Sequence, residues 1–440
     1  MMRPAYFILK IVLKYSLWAY YPILRIINRP KGYFKRTIYV SNHAASFMDP
    51  LVVGGNQSPI IFFMTRSDVF TPIMKPILWA AHMLPIYRSH DGEDTKKKNE
   101  EVFQVCNRIL KYGRSLIIYG EGFTDDVFIR RLKPLKKGAV RIGFGALESM
   151  NWEMKIYIQT VGINYEDPNF VGSGVVISNG HPICLNDYKK QYLENPQKVI
   201  SELTNAIELD LRSQITDIRD EKWAPIHEKI MRISKKGMHP IDSNKNISIL
   251  KRREYSKRLA AEFNLKDLNS DTTMLQLRNE LNHYFNLLDE KGVKEHILTE
   301  HLKGKNPSIF SKIQNVLLLP MVGLGVIHNY LPYRFVRDFV EKSFKRKVFW
   351  GSVKMTMGTL LIGLYNIVLL VIINHFVFYN SWLWTAYFFI VPPLTGIYTF
   401  NFFQRNKKEK ELLAIQSKDI GELIERRNAL REKIKNLFPF

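Results

Sequence analysis

Residues 37–50 read TIYVSNHAASFMDP, a short apolar run followed by a polar turn. The β-branched and aromatic residues at 37–40 predict a buried strand. His43 comes directly after this strand, and Asp49 follows six positions later, just before Pro50. Sheets in α/β proteins carry their chemistry in loops at the carboxyl ends of strands. This stretch therefore predicts an α/β sheet with a polar site at one edge.

The same pattern recurs further along the chain. Apolar runs that predict strands lie at residues 60–64, 116–119, 155–161 and 175–178, and residues 99–110 predict a helix. Strands that alternate with helices predict an α/β fold, here a mostly parallel sheet flanked by helices. Parallel strands end at a common edge, so we expect the polar residues that follow them to gather there.

His43 and Asp49 are candidates for a general base and its orienting carboxylate. A carboxylate fixes the tautomer of a histidine and stabilises the imidazolium that forms when the ring takes a proton. A regular helix would rotate positions six apart by about 240 degrees, so the intervening loop must bend for the side chains to meet. The structural alternative stays open: Asp49 caps a helix that Pro50 begins, and His43 is a polar loop residue.

Three further blocks carry residues suited to binding an anion. Arg88 closes the sequence PIYR and could hold a phosphate or carboxylate through two hydrogen bonds, or simply be exposed. In GEGFT, residues 120–124, small residues allow a tight turn around Glu121, which is either an anion-binding turn or a plain glycine-rich turn. The third block is basic and fits a phosphate site or a surface on anionic lipid. Its residues are Arg130, Arg131, Lys133, Lys136, Lys137 and Arg141.

In order and spacing, these blocks resemble the phospholipid/glycerol acyltransferase family, which contains glycerol-3-phosphate and lysophosphatidate acyltransferases. The likeness covers residues 36–183, about a third of the chain. The family's Asn-His and later Asp match Asn42, His43 and Asp49. The remaining matches are Pro85, Tyr87 and Arg88, then Glu121, Gly122 and Thr124, and then the run KPLKKG at 133–138, which includes Lys136.

Three positions depart from the common pattern of this family. Five residues separate His43 from Asp49 instead of four, a spacing that marks a subfamily. Gly120 stands where a proline usually precedes the glutamate, and residues 160–162 lack the proline of the fourth block.

The resemblance implies a membrane-bound enzyme of phospholipid biosynthesis. Such an enzyme moves a fatty acyl group from coenzyme A or acyl carrier protein to a hydroxyl of glycerol-3-phosphate or lysophosphatidate. It implies no metal and no cofactor other than this acyl thioester. His43 is expected to be the base and Asp49 to orient it. The residues expected to bind substrate are Arg88, Glu121, Gly122, Thr124 and Lys136. Two alternatives stay open: another acceptor, such as an amino-acid lipid, and a non-catalytic membrane protein that binds anionic lipid.

Composition limits the partners of the chain. Its 440 residues include 64 Lys and Arg against 41 Asp and Glu, a net charge of +23 that indicates an anionic partner. Two cysteines, Cys106 and Cys184, cannot form a disulfide framework. Much of the basic charge flanks apolar segments, and the sequence contains no groove-reading helix motif or zinc spacing. We therefore expect anionic membrane lipids and not nucleic acid.

Residues 355–373 and 382–403 are each long and apolar enough to cross a bilayer. Basic residues flank the pair on both sides, which predicts a hairpin with both ends in the cytoplasm, together with the catalytic domain. A bacterial inner membrane is the expected location. The alternative is a pair of buried helices in a soluble core. Pro392 and Pro393 are expected to kink or interrupt the second helix.

Two other apolar stretches predict weaker membrane contacts. Residues 313–333 are interrupted by prolines and polar residues, which favours a re-entrant or interfacial segment over a clean span. Residues 5–27 carry Lys10, Lys14 and Arg25 within about 60 degrees of one helix face. They predict an amphipathic helix on anionic lipid, or else a helix that packs on the core.

These features divide the chain into five predicted parts. They are an N-terminal membrane-associated helix (1–35), an acyltransferase domain (36–184), a helical connector (185–312), a membrane region (313–404) and a charged C-terminal helix (405–440). The last helix is expected to pack on the body of the protein or to pair with another chain.

Overall fold

The computed structural model describes residues 4–29, 35–56, 61–87, 95–304, 309–376 and 380–440. The chain divides into two compact units, Met1–Glu221 (unit 1) and Lys222–Phe440 (unit 2). Unit 1 holds the sheet, and the described residues of unit 2 that have regular structure are helical.

Eight described strands form one sheet in unit 1. They are β1 (Ile23–Ile27), β2 (Thr37–Ser41), β3 (Ile61–Arg66), β4 (Met83–Ile86), β5 (Ser115–Tyr119), β6 (Tyr157–Tyr165), β7 (Gly174–Asn179) and β8 (Ile183–Cys184). Their order is β1-β7-β6-β2-β5-β3-β4, with β8 paired to β6. From β6 to β4 all neighbours are parallel, whereas β7 and β8 run antiparallel to β6. The predicted mostly parallel sheet with flanking helices is confirmed.

Helices cover the sheet and bury its central strands. The helices of unit 1 are α1 (Pro4–Tyr20), α2 (Met48–Asn56), α3 (Lys75–Ala80), α4 (Thr95–Lys111), α5 (Gly138–Ser149), α6 (Lys189–Glu194) and α7 (Pro196–Gln214). Every residue of β2 is buried, as expected for a central strand of a parallel sheet covered on both faces. Ile38, Leu116 and Ile158 on three adjacent strands share one core with α4, α5 and α7.

The N-terminal helix is shorter than the sequence predicts. It ends at Tyr20, and residues 23–27 form β1, which pairs in parallel with β7. Pro22 explains the difference, because the residue before a proline is pushed out of the helical region. Arg25 therefore lies on a strand and not on the predicted basic stripe. The boundary predicted at residue 184 also differs, because α7 packs on β6 and belongs to unit 1.

Unit 2 contains ten described α-helices. They are α8 (Ala224–Ser234), α9 (Ile249–Leu265), α10 (Thr272–Glu290), α11 (Glu295–Leu302), α12 (Ile309–Leu317), α13 (Leu319–Gly325), α14 (Leu331–Ser343), α15 (Trp350–Phe376), α16 (Ser381–Ile415) and α17 (Gly421–Leu437). A π-helical turn, Val326–Tyr330, joins α13 to α14. The charged α17 packs against α8 and α10 and buries Leu423, Leu430 and Ile434.

Among the described residues of unit 2, two segments are long and apolar enough to cross a membrane, Lys347–Phe376 and Trp382–Ile415. Their mean hydropathies are 2.2 and 1.2. Of the two effects predicted for Pro392 and Pro393, a kink or an interruption, the interruption does not occur, because α16 runs through both prolines. The Asn329 amide donates to the Pro392 carbonyl at 3.0 Å and so satisfies a backbone group inside the helix.

Candidate active site

His43 and Asp49 meet at the carboxyl end of β2. The His43 Nδ1 and the Asp49 Oδ2 lie 3.0 Å apart. The loop between them bends back on itself: Ser46 adopts a left-handed φ of 50°, and the Asp49 N–H donates to the Ser46 carbonyl at 3.1 Å. This turn accommodates the fifth intervening residue and aims the Asp49 carboxylate from the first turn of α2 at the imidazole.

Three donors hold the Asp49 carboxylate, whose side chain is fully buried. Besides His43, the Ala45 N–H donates to Oδ2 at 2.9 Å, and the Tyr165 hydroxyl donates to Oδ1 at 2.9 Å. A buried carboxylate needs such partners, because burying a charge without them is costly. The carboxylate is thus fixed in orientation before any substrate arrives.

The His43 ring is positioned with one nitrogen left for chemistry. It stacks on Tyr119, the last residue of β5, with ring centroids 4.3 Å apart and planes 22° apart. Because Nδ1 faces Asp49, Nε2 is the nitrogen that can exchange a proton with a substrate. The side chain of His43 is 21% exposed, so a substrate can reach it from outside the protein.

Glu121 connects the histidine loop to the chain around Lys133. Its Oε1 accepts the His43 N–H at 2.5 Å, and its Oε2 accepts the Lys133 N–H at 3.1 Å. Burial raises the pKa of Glu121, and the two backbone donors oppose that rise. Only 3% of the residue is exposed. Glu121 therefore positions the backbone on which His43 sits.

Gly122 and Lys136 lie next to each other at the outer side of this turn. Gly122 has a φ of +78°, and a Cβ there would lie 2.7 Å from the Lys136 Nζ. The Lys136 N–H donates to the Gly120 carbonyl at 2.9 Å, which ties the basic run to the turn. Lys136 is exposed, and Thr124 is half-buried in the loop that follows. Arg88 lies outside the described residues.

Two cations of the basic run are already paired with an acid. The Arg131 Nη2 and the Lys133 Nζ lie 2.7 and 3.0 Å from the Asp125 Oδ1. Burial raises the pKa of Asp125, but the hydrogen bonds from Arg131 and Lys133 outweigh it and leave the pKa below its ordinary value. Much of this positive charge is therefore neutralised within the loop.

A known protein family matches part of the chain. Residues 27–164 match the family described as Acyltransferase. This segment belongs to the acyltransferase family. The resemblance inferred from the four blocks is thereby confirmed. No curated protein matches the sequence of the chain.

One solved structure has a partly similar chain, the 1-acyl-sn-glycerophosphate (LPA) acyltransferase PlsC from Thermotoga maritima. The two are 16% identical, with a TM-score of 0.33, over 46% of this chain and 80% of that one.

Two residues that contact the His43–Asp49 pair were not among the predicted site residues. Tyr165 ends β6 and bonds to Asp49, and Tyr119 ends β5 and stacks on His43. Both are hydroxyl-bearing aromatic residues at the carboxyl end of a parallel strand, which is the signal that could have identified them. Asn42 is structural: its amide bonds both the N–H and the carbonyl of Ile163 on β6.

A small cavity lies beside the loop that carries His43. Asn42, Ala44, Tyr165, Arg130 and Thr216 contribute to its lining. Arg130 also donates to the Tyr165 carbonyl at 3.3 Å and to the Glu166 carbonyl at 2.6 Å, and so fixes the end of β6. The cavity measures about 10 Å³, room for one water molecule but not for an acyl chain.

Within the described parts of the chain, no group of three or more His, Cys, Asp or Glu side chains could hold a metal ion.

Proposed function

We propose that the protein transfers a fatty acyl group from an acyl thioester to a hydroxyl of glycerol-3-phosphate or lysophosphatidate, with His43 as general base. The observation that carries the proposal is the 3.0 Å contact between the His43 Nδ1 and the Asp49 Oδ2 inside a segment of the acyltransferase family. The donor is coenzyme A or acyl carrier protein, and no further cofactor takes part.

The reaction starts when the His43 Nε2 takes the proton of the acceptor hydroxyl as its oxygen attacks the thioester carbonyl. A positioned base of this kind typically contributes about 10²–10⁴-fold to the rate. Asp49 stabilises the imidazolium and keeps the proton on Nδ1. The tetrahedral intermediate then collapses: the carbon–sulfur bond breaks, the ester forms, and the imidazolium returns its proton to the thiolate that leaves.

Lys136 is the residue that we assign to the phosphate of the acceptor. Its Nζ lies over Gly122, three residues beyond the end of β5, at the same sheet edge as His43. Lys133, by comparison, forms an ion pair with Asp125. Arg88 and Thr124 match family positions and are proposed to bind the same part of the acceptor.

Purified protein with both thioester donors tests this function. The acceptors are glycerol-3-phosphate, lysophosphatidate and a lyso amino-acid lipid. We expect His43→Ala to abolish transfer, while His181→Ala, an exposed histidine on the loop after β7, leaves transfer unchanged. Lys136→Met should raise KM for phosphate-bearing acceptors, whereas its neighbour Lys137→Met should not. Transfer only to the amino-acid lipid would assign a different acceptor, and no transfer at all would favour a lipid-binding protein.

We also propose that α15 and α16 cross the inner membrane of a bacterium as a hairpin. No Asp, Glu, Lys or Arg lies between Lys354 and Arg405, and lysines and arginines flank both ends. Such residues favour the cytoplasmic side, so both ends of the hairpin are assigned there. Membrane attachment suits an enzyme whose product is a membrane lipid.

Residues 313–333 fit a re-entrant element in this arrangement. The Asn315 amide donates to the Asn406 Oδ1 at 3.0 Å, at the basic end of α16. Midway along α15, the Asn366 amide donates to the His328 carbonyl at 2.9 Å. The Lys354 Nζ then bonds the Glu341 Oε1 at 2.6 Å, at the basic end of α15.

The depth of these contacts carries the assignment. The contacts begin at the basic end of the hairpin, reach its middle and return to its basic end. A segment with such contacts enters the membrane and leaves it on the same side. The π-helical turn lies at its innermost point. There, the His328 Nε2 contacts the Tyr387 hydroxyl at 2.9 Å, so the buried imidazole is not left unpaired.

A further inference from the structure

An exposed apolar segment follows β3 in unit 1. Residues 71–77 are all exposed, and Ile73, Ile77 and Trp79 are 83%, 52% and 57% exposed. Leu78, by contrast, is buried and anchors α3 to the sheet. Side chains of this size seldom cluster on a water-facing surface without a partner. The segment Val69–Trp79, which we call the α3 surface, therefore has an unassigned role.

The α3 surface starts at the edge of the sheet that carries His43. β2, β3 and β5 are mutually parallel, so their carboxyl ends share one edge. His43 follows β2, Glu121 follows β5, and the α3 surface follows β3. A ligand that covers this surface would therefore lie on the catalytic side of the sheet.

The α3 surface is joined to helix α1 through a buried histidine. The ring of His82 stacks between Tyr6 of α1 and Phe62 of β3, with centroid separations of 4.3 and 4.4 Å. Helix α1 likewise exposes apolar side chains, including Ile8, Ile11 and Trp18. The exposed apolar faces of α1 and of the α3 surface are thus both connected to the ring of His82.

The charge on both faces identifies the partner. Residues 69–87 contain Lys75 and no acidic residue, and α1 contains Lys10 and Lys14 and no acidic residue. Exposed apolar side chains with interspersed lysines and no acids match the interface of an anionic bilayer. A protein partner with an apolar patch would not require acids to be absent across both faces.

We propose that the α3 surface inserts into the interface of an anionic bilayer beside the active site and gives the reaction direct access to membrane-borne acyl chains. The proposal rests on the proposed function for its substrate, a lipid. In this arrangement the acyl chain stays in the bilayer while the reacting group reaches His43.

A fluorescent label tests the contact without any need for activity. Ile73→Cys and Ile77→Cys carry the environment-sensitive dye NBD, and Leu209→Cys on α7 serves as control. Leu209 is 66% exposed and lies between Glu208 and Asp210. Cys184→Ser removes the accessible native thiol. Cys106 needs no change, because it is fully buried and burial raises the pKa of its thiol to about 12.

The full chain is placed in nanodiscs of phosphatidylglycerol and phosphatidylethanolamine that contain nitroxide-labelled phosphatidylcholine. We expect blue-shifted emission and strong nitroxide quenching at positions 73 and 77, and little of either at 209. Quenching at 73 and 77 no stronger than at 209 would overturn the proposal. A blue shift that grows with protein concentration and is not accompanied by quenching would show that a second copy of the protein covers the surface. That result would also overturn the proposal.

Kinetics separate this proposal from the proposed function. The double variant Ile73→Asp/Ile77→Asp should lose about tenfold in transfer to long-chain lysophosphatidate in vesicles. It should keep transfer to a water-soluble short-chain analogue, and Leu209→Asp should keep both. Equal loss on both acceptors would contradict a docking role. Absence of turnover in every variant, with lipid quenching intact, would reject the acyltransferase activity and leave the membrane contact standing.

Discussion

Asp49→Asn is the substitution that most directly tests how the base is held. Asparagine has nearly the same shape, and its carbonyl oxygen can still accept from His43 and from the Ala45 N–H. Its amide would then face the Tyr165 hydroxyl, which can turn and accept. The fold should therefore persist, and only the negative charge beside the imidazole is lost.

The expected cost follows from that lost charge. A hydrogen bond to a charged group contributes about 1.5–3 kcal/mol, and each 1.36 kcal/mol corresponds to a factor of about 10. Loss of support for the imidazolium alone should lower kcat about 10- to 150-fold. The lost charge also weakens the preference of the ring for a proton on Nδ1, so we expect a total loss of about 10²–10⁴-fold.

The assay is steady-state acyl transfer with saturating thioester, with kcat and KM measured separately. Asp49→Asn should lower kcat and leave KM for the acceptor nearly unchanged, because Asp49 is buried behind His43. Tyr165→Phe removes one of the three donors but keeps the charge, so its loss should be far smaller. The reasoning is refuted if Asp49→Asn retains more than about a fifth of the wild-type kcat, or if Tyr165→Phe is equally damaging.

Three further predictions follow from other contacts. Gly122→Ala should lower both melting temperature and activity, because its φ is +78° and the new Cβ would lie 2.7 Å from the Lys136 Nζ; Gly145→Ala, with nothing within 4 Å, should be neutral or stabilising. The raised pKa of Glu121 adds to the stability of the fold at pH values below the ordinary pKa of 4.5, and this added stability is lost as the pH rises through the pKa in the folded state. The melting temperature of the wild type, measured relative to that of Glu121→Gln, should therefore fall with rising pH. A rise would contradict the raised pKa. In sealed vesicles, a membrane-impermeant maleimide should label Gly304→Cys and Lys345→Cys from one side of the membrane and Asn380→Cys from the other side. Labelling of positions 304 and 345 from opposite sides would show that residues 313–333 cross the membrane completely.

The sequence predicts those parts of unit 1 whose signals are local. The strand at 37–40 is recognisable because four apolar residues precede a polar turn, and β5 is recognisable for the same reason. By contrast, β1 continues an apolar helix in composition, and only Pro22 marks the change. Local hydropathy cannot distinguish such a strand from one more helical turn.

The His43–Asp49 pair could be named from the sequence, but the contacts that hold it in place could not. The pairing of Asp49 with His43 depends on the left-handed turn at Ser46, which no motif specifies. Glu121 was predicted to bind substrate from its motif alone, and the sequence does not show that each of its oxygens also accepts a backbone N–H. Helix α16 continues through two prolines, and the amide that bonds its Pro392 carbonyl belongs to Asn329, 63 positions away in sequence. Each of these outcomes depends on partners that only the folded chain brings together.

The third donor to Asp49 has a consequence for how the protein is made. Tyr165 and Asp49 are separated by 116 positions, and Asn42 joins β2 to a strand 121 positions later. A ribosome that has released the chain only as far as α5 has produced His43 and Asp49 but not the strand that immobilises them. Such distant pairings close late during folding. The nascent polypeptide therefore carries an incomplete base until β6 emerges and inserts beside β2.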